Sequence, residues 1–233
     1  MSTKDKAKSA IDPEIAIESA LGRTEEFFMR NGKLLLTILA VIIVVVGGYF
    51  GYKYLYIGPR AEKAGAAMFA AEQQFAVDSF ALALNGDGST EGFLQIIDKY
   101  GNTPQGNIAR HYAGVCYLRL GDYESALSYL GQYKATEGAP NTVINAQNLG
   151  LQGDANAQLG NFDKALDLYT RAAGKFDNDL TSPMYLKKAG LLYEKMQQPA
   201  KALKAYEQIR YNYSTSLEAR DIEKYIARAE QQI

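Results

Sequence analysis

The sequence holds few side chains of the kinds that carry out catalysis. His111 is the only histidine and Cys116 the only cysteine, so no Ser–His–Asp or Cys–His pair is supported by spacing. A zinc site would need companions that these two residues lack, apart from carboxylates. Cys116 stands between Val115 and Tyr117, where a small core residue is expected. We therefore expect no enzymatic activity, no metal and no cofactor.

The segment NGDGS at residues 85–89 is the nearest approach to a ligand-binding loop. A phosphate loop would need a lysine and a preceding strand, and neither is predicted here. A calcium loop would need regularly spaced acidic residues and a later glutamate at EF-hand spacing, and this segment does not have them. We therefore predict a plain turn.

The composition of the chain limits which partners and which compartment can be inferred. The chain has 233 residues and a formal net charge of −1, so no basic field favours nucleic acid as a partner. It is rich in tyrosine and glycine, with 17 and 21 residues respectively, which suits helical pairs in which large residues meet small ones. A single cysteine allows no intramolecular disulfide and does not indicate the compartment.

The most apolar part of the chain is residues 34–51, LLLTILAVIIVVVGGYFG, which contains no charged residue. A helix of that length covers roughly 27 Å, close to the ~30 Å hydrocarbon core of a bilayer. Arg30 and Lys33 precede it and tyrosines follow it from Tyr52, a pattern that membrane–water interfaces favour. We predict a single transmembrane helix over residues 34–57.

A cleaved signal peptide does not fit this segment. Signal cores are about 7–15 residues long, start near the N-terminus and end at a small-residue cleavage site. Here the apolar core begins only at Leu34, and the nearest small-residue run, AGAA, lies downstream at residues 64–67. No cysteine is near enough for a lipoprotein anchor. We expect the helix to remain attached.

Charge gives a modest preference for one orientation in the membrane. The tail before the helix holds more lysine and arginine than the segment just after it, although the nearest flanks are balanced. The positive-inside rule therefore favours a cytoplasmic N-terminus and a C-terminal domain on the other side.

Small residues recur along one face of the apolar helix, including a GxxxG pair. Such a face lets a second membrane helix approach closely, although GxxxG is also common by chance. The candidate packing residues are Thr37, Ala40, Gly47, Gly48 and Gly51.

The flanks of the apolar helix are predicted less sharply. We predict a cytoplasmic tail over residues 1–33, with residues 1–12 disordered and a short helix from Pro13 to Gly22. From Thr24 onward, an interfacial amphipathic turn and a continuation of the membrane helix are both open. After the membrane, alanine-rich residues 58–84 predict one long connecting helix.

Three passages further along resemble one another: GDYESALSYLGQY, GNFDKALDLYTRA and QQPAKALKAYEQI. Each carries an alanine and then a large residue at the same spacing, with a glycine at a fixed distance upstream. This pattern resembles the tetratricopeptide repeat, in which small residues let two antiparallel helices pack closely. The residues that define it are Gly114, Tyr117, Gly121, Ala126, Gly153, Gly160, Ala165, Gly190, Tyr193 and Ala202.

The repeats predict an all-α fold, with a single N-terminal transmembrane helix followed by a tetratricopeptide-repeat α-solenoid. We expect about four helix pairs within residues 73–216, the first of them degenerate, and a C-terminal capping helix over residues 217–233. The predicted pairs are 73–106, 107–145, 146–182 and 183–216.

Repeat arrays of this kind usually bind partners on a concave surface formed by the first helix of each pair. The surface predicted here mixes apolar, polar and charged residues. It lacks the Lys/Asn-rich pattern with which some repeat proteins bind C-terminal carboxylates. We therefore expect the bound partner to be an extended or unfolded segment. A solvated groove, with the true contacts on loops or convex faces, remains open. The predicted positions are Ile108, His111, Val115, Leu118, Gln147, Gly150, Asp154, Ala157, Met184, Lys187, Leu191 and Glu194.

The passages EEFFMRNGKLLL at the membrane entry and DKYGNTPQGNIARHYAGVCYLRLGDYESAL in the first repeats carry a wider resemblance. The chain resembles the bacterial YfgM-like ancillary subunits of the SecYEG translocon over about residues 24–230, in a Bacteroidota-type version. The resemblance implies a cytoplasmic tail, one inner-membrane helix and a periplasmic repeat domain. It also implies association with SecYEG and a PpiD-like periplasmic chaperone near emerging secretory polypeptides.

Three functions remain in competition from the sequence. The first is a non-enzymatic translocon accessory that presents its groove near nascent chains. The second is a membrane-anchored scaffold for envelope assembly or cell division. The third is a scaffold that faces the cytoplasm, with the topology inverted.

Overall fold

The computed structural model describes residues 13–233, except for the side chains of residues 13–26, 28 and 139–141. Residues 1–12, predicted to be disordered, lie outside the described part, which contains helices and no strand. The α-helices are α1 (Pro13–Gly51), α2 (Gly58–Ala76), α3 (Phe80–Asn85), α4 (Phe93–Tyr100), α5 (Pro104–Leu120), α6 (Tyr123–Gln132), α7 (Ala139–Gln158), α8 (Phe162–Lys175), α9 (Ser182–Lys195), α10 (Pro199–Asn212) and α11 (Ile222–Glu230).

The chain divides into two compact units, one up to Gly58 and one from Pro59 to Ile233. The first unit contains α1, whose side chains from Leu36 to Phe50 are exposed to the surroundings. The most apolar stretch of this helical region has a mean hydropathy of 2.6, and none of it is buried within the protein. The prediction of one N-terminal helix long and apolar enough to cross a membrane is confirmed.

The predicted helix start at Pro13 borders the residues outside the described part and stays a prediction, but the predicted end at Gly22 is wrong. α1 runs through Gly22 and Thr24 without interruption, because a single glycine inside a long helix costs only about 1 kcal/mol and ends it only where other signals agree. Of the two alternatives from Thr24 onward, the structure has the continuation of the helix.

A π-helical turn, Tyr52–Ile57, follows α1. The N–H of Gly58 bonds to the carbonyl of Lys53, five residues back. Pro59 explains the wide turn, because a proline ring in an α-helix clashes with the carbonyl four residues before it. Widening the preceding turn relieves that clash. The helical region therefore does not end at residue 57, where the predicted transmembrane helix ends.

The second unit begins with α2, and here the predicted single helix over residues 58–84 is wrong. Helix α2 ends at Ala76, and Asp78 adopts a left-handed conformation with φ of 57° before α3 begins at Phe80. The turn lets α3 fold back, so that Phe75 and Phe80 meet edge to face with ring centroids 5.4 Å apart. Aromatic packing across the turn overrides the helical propensity of the alanine-rich sequence.

The remaining helices form consecutive pairs followed by a cap, which confirms the repeat architecture. The pairs are α3–α4, α5–α6, α7–α8 and α9–α10, followed by a short 3₁₀ turn, Glu218–Asp221, and α11. The last element is therefore shorter than the predicted helix over residues 217–233. Its buried residues Ile222, Ile226 and Ala229 cover the end of the last pair.

Within each of the last three pairs, the upstream glycine lies directly against the large residue of the second helix. A Cβ atom on Gly114 would stand 2.5 Å from Leu130, and Cβ atoms on Gly153 and Gly190 would stand 2.6 Å and 2.2 Å from the rings of Tyr169 and Tyr206. No real Cβ atom approaches another atom so closely, so the close approach of the two helices requires glycine at these positions.

The first helix of each of these pairs ends in the same hydrogen-bonded turn. The N–H groups of Asp122, Asn161 and Gln198 bond to the carbonyls of Tyr117, Asn156 and Tyr193 at 2.9, 2.8 and 2.9 Å. This is the Schellman motif, which places a left-handed residue just after the helix. Gly121 and Gly160 hold that position with φ of 83° and 79°, and Gln197 holds it with φ of 57°.

Buried apolar residues form two separate clusters in the second unit. One joins α2, α3, α4 and α5 around Phe93, Ile96 and Cys116. The other joins α7 to α11 around Tyr185, Tyr206 and Ile222. Between the clusters, α7 meets α5 and α6 through polar side chains, described below.

We predict that Gly190→Ala destabilises the array, because the new methyl group overlaps the ring of Tyr206. Overpacking of this kind costs about 1–3 kcal/mol. Gly174→Ala is the matched control, since nothing lies within 4 Å of the added atom and alanine favours a helix over glycine by up to about 1 kcal/mol. Thermal unfolding followed by circular dichroism should show a lower midpoint for the first variant only. Equal midpoints would contradict the packing described here.

We also predict that Gln197→Gly stabilises the array by about 0.5–1 kcal/mol, because a left-handed conformation is unfavourable for a residue with a Cβ atom. Gln208→Gly, inside α10 at an exposed position, is the matched control and should destabilise by about 1 kcal/mol. Opposite shifts of the unfolding midpoint are expected. Two decreases would show that Gln197 has a favourable role that its conformation does not explain.

Candidate functional site

A concavity of the second unit lies between the first helices of three consecutive pairs, α5, α7 and α9. It has a volume of about 360 Å³ and is closed on one side by Phe75 of α2. We call it the α5–α7–α9 cavity. Its lining is Phe75, Ile108, His111, Tyr112, Val115, Ile144, Gln147, Leu151, Asp154, Tyr185 and Lys188.

Two shallower concavities continue along the same helices. One of about 270 Å³ lies against α7, α8 and α9 and is lined by Asp154, Ala157, Tyr169, Lys188, Leu191, Leu192 and Lys195. The other, of about 210 Å³, is lined by Met184, Lys187, Lys188, Leu191, Leu217 and Glu218. Each concavity shares residues with the next, so the three form one continuous surface.

The structure brings most of the predicted groove residues to this surface. Of the predicted set, Ile108, His111, Val115, Gln147 and Asp154 line the α5–α7–α9 cavity. Ala157, Met184, Lys187 and Leu191 line the two neighbouring concavities.

Three predicted groove residues serve the packing instead and lie outside these concavities. Gly150 is buried beneath Tyr185, whose ring atoms would lie 1.9 Å from a Cβ atom added there. Glu194 pairs with Arg228 at 2.5 Å and ties α9 to the capping helix. Leu118 accepts the N–H of Gly121 through its carbonyl, at the C-terminal end of α5.

Sequence reasoning missed several lining residues, among them Tyr185 and Lys188. Both lie one position after a predicted residue, Met184 and Lys187 respectively. One residue along a helix turns the side chain by about 100°, so α9 lines the surface with more of its circumference than the predicted positions cover. Met184, Lys187 and Leu191 line the neighbouring concavities, and Tyr185 and Lys188 line the α5–α7–α9 cavity.

His111 forms part of the cavity floor and belongs to a buried polar seam between α5 and α7. Its Nδ1 atom lies 3.3 Å from Nδ2 of Asn148. Because Oδ1 of Asn148 accepts a hydrogen bond from Gln152 at 2.8 Å, the Asn148 amide group presents its N–H to the ring. The ring can accept that bond only with Nδ1 deprotonated. Burial lowers the pKa of His111 to about 4, so the ring is neutral.

Two asparagines extend the seam to the loop after α6. The hydroxyl of Tyr133 donates to Oδ1 of Asn145 at 2.8 Å, and the Asn145 amide donates to the carbonyl of Thr136. Asn107 both donates to and accepts from the backbone of Lys134 at 2.8 Å. The contacts of Asn145 with Tyr133 and Thr136 therefore help to fix the third pair against the end of the second.

A charged pair forms one wall of the cavity. Nζ of Lys188 lies 2.7 Å from both carboxylate oxygens of Asp154. The hydroxyl of Tyr169 donates to the same carboxylate at 2.8 Å. The Lys188 ammonium also lies 5.6 Å and 5.9 Å from the ring centroids of Tyr185 and Tyr169. Burial, and next the Asp154 charge, raise the pKa of Tyr169 well above its usual range, so its hydroxyl remains a donor.

The second side chain suited to catalysis, Cys116, lies inside the apolar cluster of α2 to α5. It is completely buried, and burial raises the pKa of its thiol to about 12. A thiol of this kind is not a nucleophile at neutral pH. This is the small core residue that the sequence predicts at this position.

The NGDGS loop is organised by Asp87. Its Oδ1 atom accepts hydrogen bonds from the N–H groups of Ser89 and Thr90 at 2.9 and 2.7 Å, and from both of their hydroxyls. These bonds lower the pKa of Asp87. The loop is an Asx turn whose carboxylate serves its own backbone. Groups of three or more potential metal ligands are absent from the described residues.

The predicted small-residue face of α1 is open. Nothing lies within 4 Å of the Cβ positions of Gly47, Gly48 and Gly51, and the Thr37 hydroxyl bonds to the Lys33 carbonyl of its own helix at 2.8 Å. Whether this face packs against another helix, through Ala40 as well, stays a prediction.

The family comparison matches two of the helix pairs. The sequence model described as a tetratricopeptide repeat matches residues 109–136 and 186–216. The chain carries tetratricopeptide repeats. The matched segments fall on α5–α6 and α9–α10, and the α7–α8 pair between them shares their glycine packing and Schellman turn. Tetratricopeptide repeats are generally non-catalytic scaffolds that mediate protein–protein interactions.

Two solved structures of repeat proteins are similar to this chain. The nearly identical TPR-like repeats of a kinesin light chain from Podosopora anserina are 14% identical, with a TM-score of 0.54, over 74% of this chain and 87% of that one. A crystal structure of MamA is 18% identical, with a TM-score of 0.49, over 70% of this chain and 93% of that one. The kinesin light chain, at this identity, shows the fold alone. A search of the curated proteins finds no match to this sequence.

We predict that His111 titrates near pH 4, against about 6.5 in an unfolded chain. Because the folded pKa is lowered, the folded state binds this proton less readily, and the associated stability, about 3 kcal/mol, is complete above pH 6.5 and is lost as the pH falls toward 4. The chain has one histidine, so proton NMR of the untagged protein gives a single titrating imidazole. The stability advantage of the native chain over His111→Gln should shrink across the same interval. An NMR pKa at or above 6.5 would contradict the burial of a neutral ring.

Proposed function

We propose that this chain is a non-enzymatic, membrane-anchored accessory of the Sec protein translocon. Its repeat array would present the three linked concavities to a PpiD-like chaperone or to emerging secretory polypeptides. The observation that carries the proposal is the combination, in one chain, of an exposed apolar helix and a tetratricopeptide array with a continuous concave surface.

The proposal places the protein in the bacterial inner membrane as a single-pass protein. The N-terminus would be cytoplasmic and the repeat array periplasmic, in line with the modest excess of basic residues before α1. The exposed apolar side chains of α1, such as Leu36 and Val44 at 68% and 73% exposure, favour hydrocarbon rather than water as their surroundings.

The resemblance to YfgM-like proteins supports the translocon in particular. It rests on the membrane-entry passage and on the first-repeat passage, DKYGNTPQGNIARHYAGVCYLRLGDYESAL. The second passage spans α5, which contributes Ile108, His111 and Val115 to the cavity.

Binding is favoured over catalysis by the state of the two reactive side chains. His111 is neutral and hydrogen-bonded to Asn148, and Cys116 is buried among apolar residues. The concave surface instead offers apolar and aromatic area, which is what a polypeptide partner requires.

Photocrosslinking in the native cell tests the proposal. A benzophenone amino acid at Gln147, in the cavity, should crosslink to a chaperone or to secretory chains, and one at Gly48 should crosslink to a translocon subunit. Lys204, exposed on α10, is the matched control on another surface. Copurification in mild detergent should recover SecY together with the protein. Crosslinks from Gln147 to envelope-assembly or division proteins, with no SecY recovered, would replace the translocon by a scaffold role.

Topology has its own test. Alkaline phosphatase fused after Ile233 is active only outside the cytoplasm, and we expect activity. An inactive fusion of full length would contradict the periplasmic placement and support the inverted, cytoplasm-facing scaffold.

A further inference from the structure

The α5–α7–α9 cavity has mostly apolar and aromatic walls. Phe75, Tyr112, Val115, Leu151 and Tyr185 line it from four different helices. Its volume of about 360 Å³ lies at the low end of the range for small-ligand pockets. A cavity of this size accommodates one bulky side chain together with its backbone.

The ionisable groups of the cavity are already satisfied by one another. Both carboxylate oxygens of Asp154 contact Nζ of Lys188 at 2.7 Å, and one also accepts from Tyr169. The floor residue His111 is neutral and bonded to Asn148. A charged side chain that entered would lose its hydration and meet a compensated pair, so it would gain no net attraction.

The same compensation continues along the surface. In the neighbouring concavity Nζ of Lys187 lies 2.7 Å from Asp221, and the hydrogen bonds from Lys187 and Lys224 lower the pKa of Asp221 to about 2. The remaining ionic side chains of the three concavities, Lys195 and Glu218, are opposite in sign. The lysines that line the three concavities therefore outnumber the lining carboxylates by only one. The surface has no strong field of either sign and complements an uncharged stretch of a partner.

Continuity of the surface sets the form of that partner. Lys188 lines all three concavities, and Leu191 lines the second and third. An extended segment places alternate side chains on one face, so successive bulky residues can enter successive concavities.

Resting on the proposed function, we infer that the α5–α7–α9 cavity is the pocket that sets partner specificity. It takes one bulky uncharged side chain, aliphatic or aromatic, from an extended segment of a protein partner, and the Asp154–Lys188 pair excludes charged side chains from it.

The test uses the full chain in lipid nanodiscs and a capped nine-residue peptide that carries alternate leucines among serines and threonines, with a fluorescein label on a short linker. Anisotropy measures binding, with empty nanodiscs as the blank. Replacing the central leucine by aspartate or by lysine should weaken binding at least about tenfold, since either charge would have to be desolvated.

Filling the cavity separates this pocket from the rest of the surface. Val115→Phe places a ring inside the cavity and should weaken binding of the leucine peptide about tenfold. Val77→Phe, on the exposed turn after α2 with Val77 at 69% exposure, is the matched control and should change binding less than about twofold. Circular dichroism confirms that both variants fold.

Breaking the charged pair from either side should change the selectivity in opposite directions. Asp154→Asn leaves Lys188 without its carboxylate and should improve binding of the aspartate peptide about tenfold relative to the native chain. Lys188→Met leaves Asp154 uncompensated and should improve binding of the lysine peptide by a similar factor.

The outcomes separate this inference from the proposed function. Binding of the leucine peptide that is unchanged by Val115→Phe, or equal for leucine, aspartate and lysine peptides, overturns the pocket while leaving polypeptide binding intact. No binding by the native chain also overturns the pocket, and the translocon role is then decided by the crosslinks from Gln147 and Gly48 alone.

Discussion

The contact between a glycine on one helix and a large side chain on the next is the constraint on which the array depends. At Gly114, Gly153 and Gly190 no Cβ atom could be accommodated against the facing Leu130, Tyr169 and Tyr206. The distance between the two helices of each pair is set there, and so is the position of each first helix relative to its neighbours. Because α5, α7 and α9 also supply the cavity, its dimensions follow from the same contacts.

The repeat architecture could be predicted from the sequence because its determinants are local. The glycine, the alanine and the large residue of each pair recur at fixed spacing, and so does the residue that ends the first helix. Gln197 replaces glycine at that last position, yet the Schellman turn forms, because the hydrogen bond of Gln198 to Tyr193 and the flanking helices hold it there. The apolar helix could be predicted equally well from the sequence, since its length and its lack of charge depend on no other part of the chain.

What the sequence did not reveal depends on contacts between elements. The turn at Asp78 arises from aromatic packing of Phe75 and Phe80, which no periodic pattern indicates. The α5–α7–α9 cavity could be predicted in part: the predicted residues of α5 line it, whereas the predicted residues of α9 line the neighbouring concavities and do not include Tyr185 and Lys188. The partner of Asp154 lies on another repeat, so the ion pair could not be read from the sequence.

The polar seam between α5 and α7 divides the array into two parts, although the succession of helices is regular. The apolar cluster of α2 to α5 and that of α7 to α11 meet chiefly through amide groups and the imidazole of His111, so each cluster can behave as its own cooperative folding block. The cavity lies across this boundary, with Phe75 and Tyr112 from one block and Tyr185 from the other. A side chain seated there would contact both clusters at once and so couple their opening. Occupancy of the cavity would then stabilise both clusters together and not only the residues in contact with the side chain.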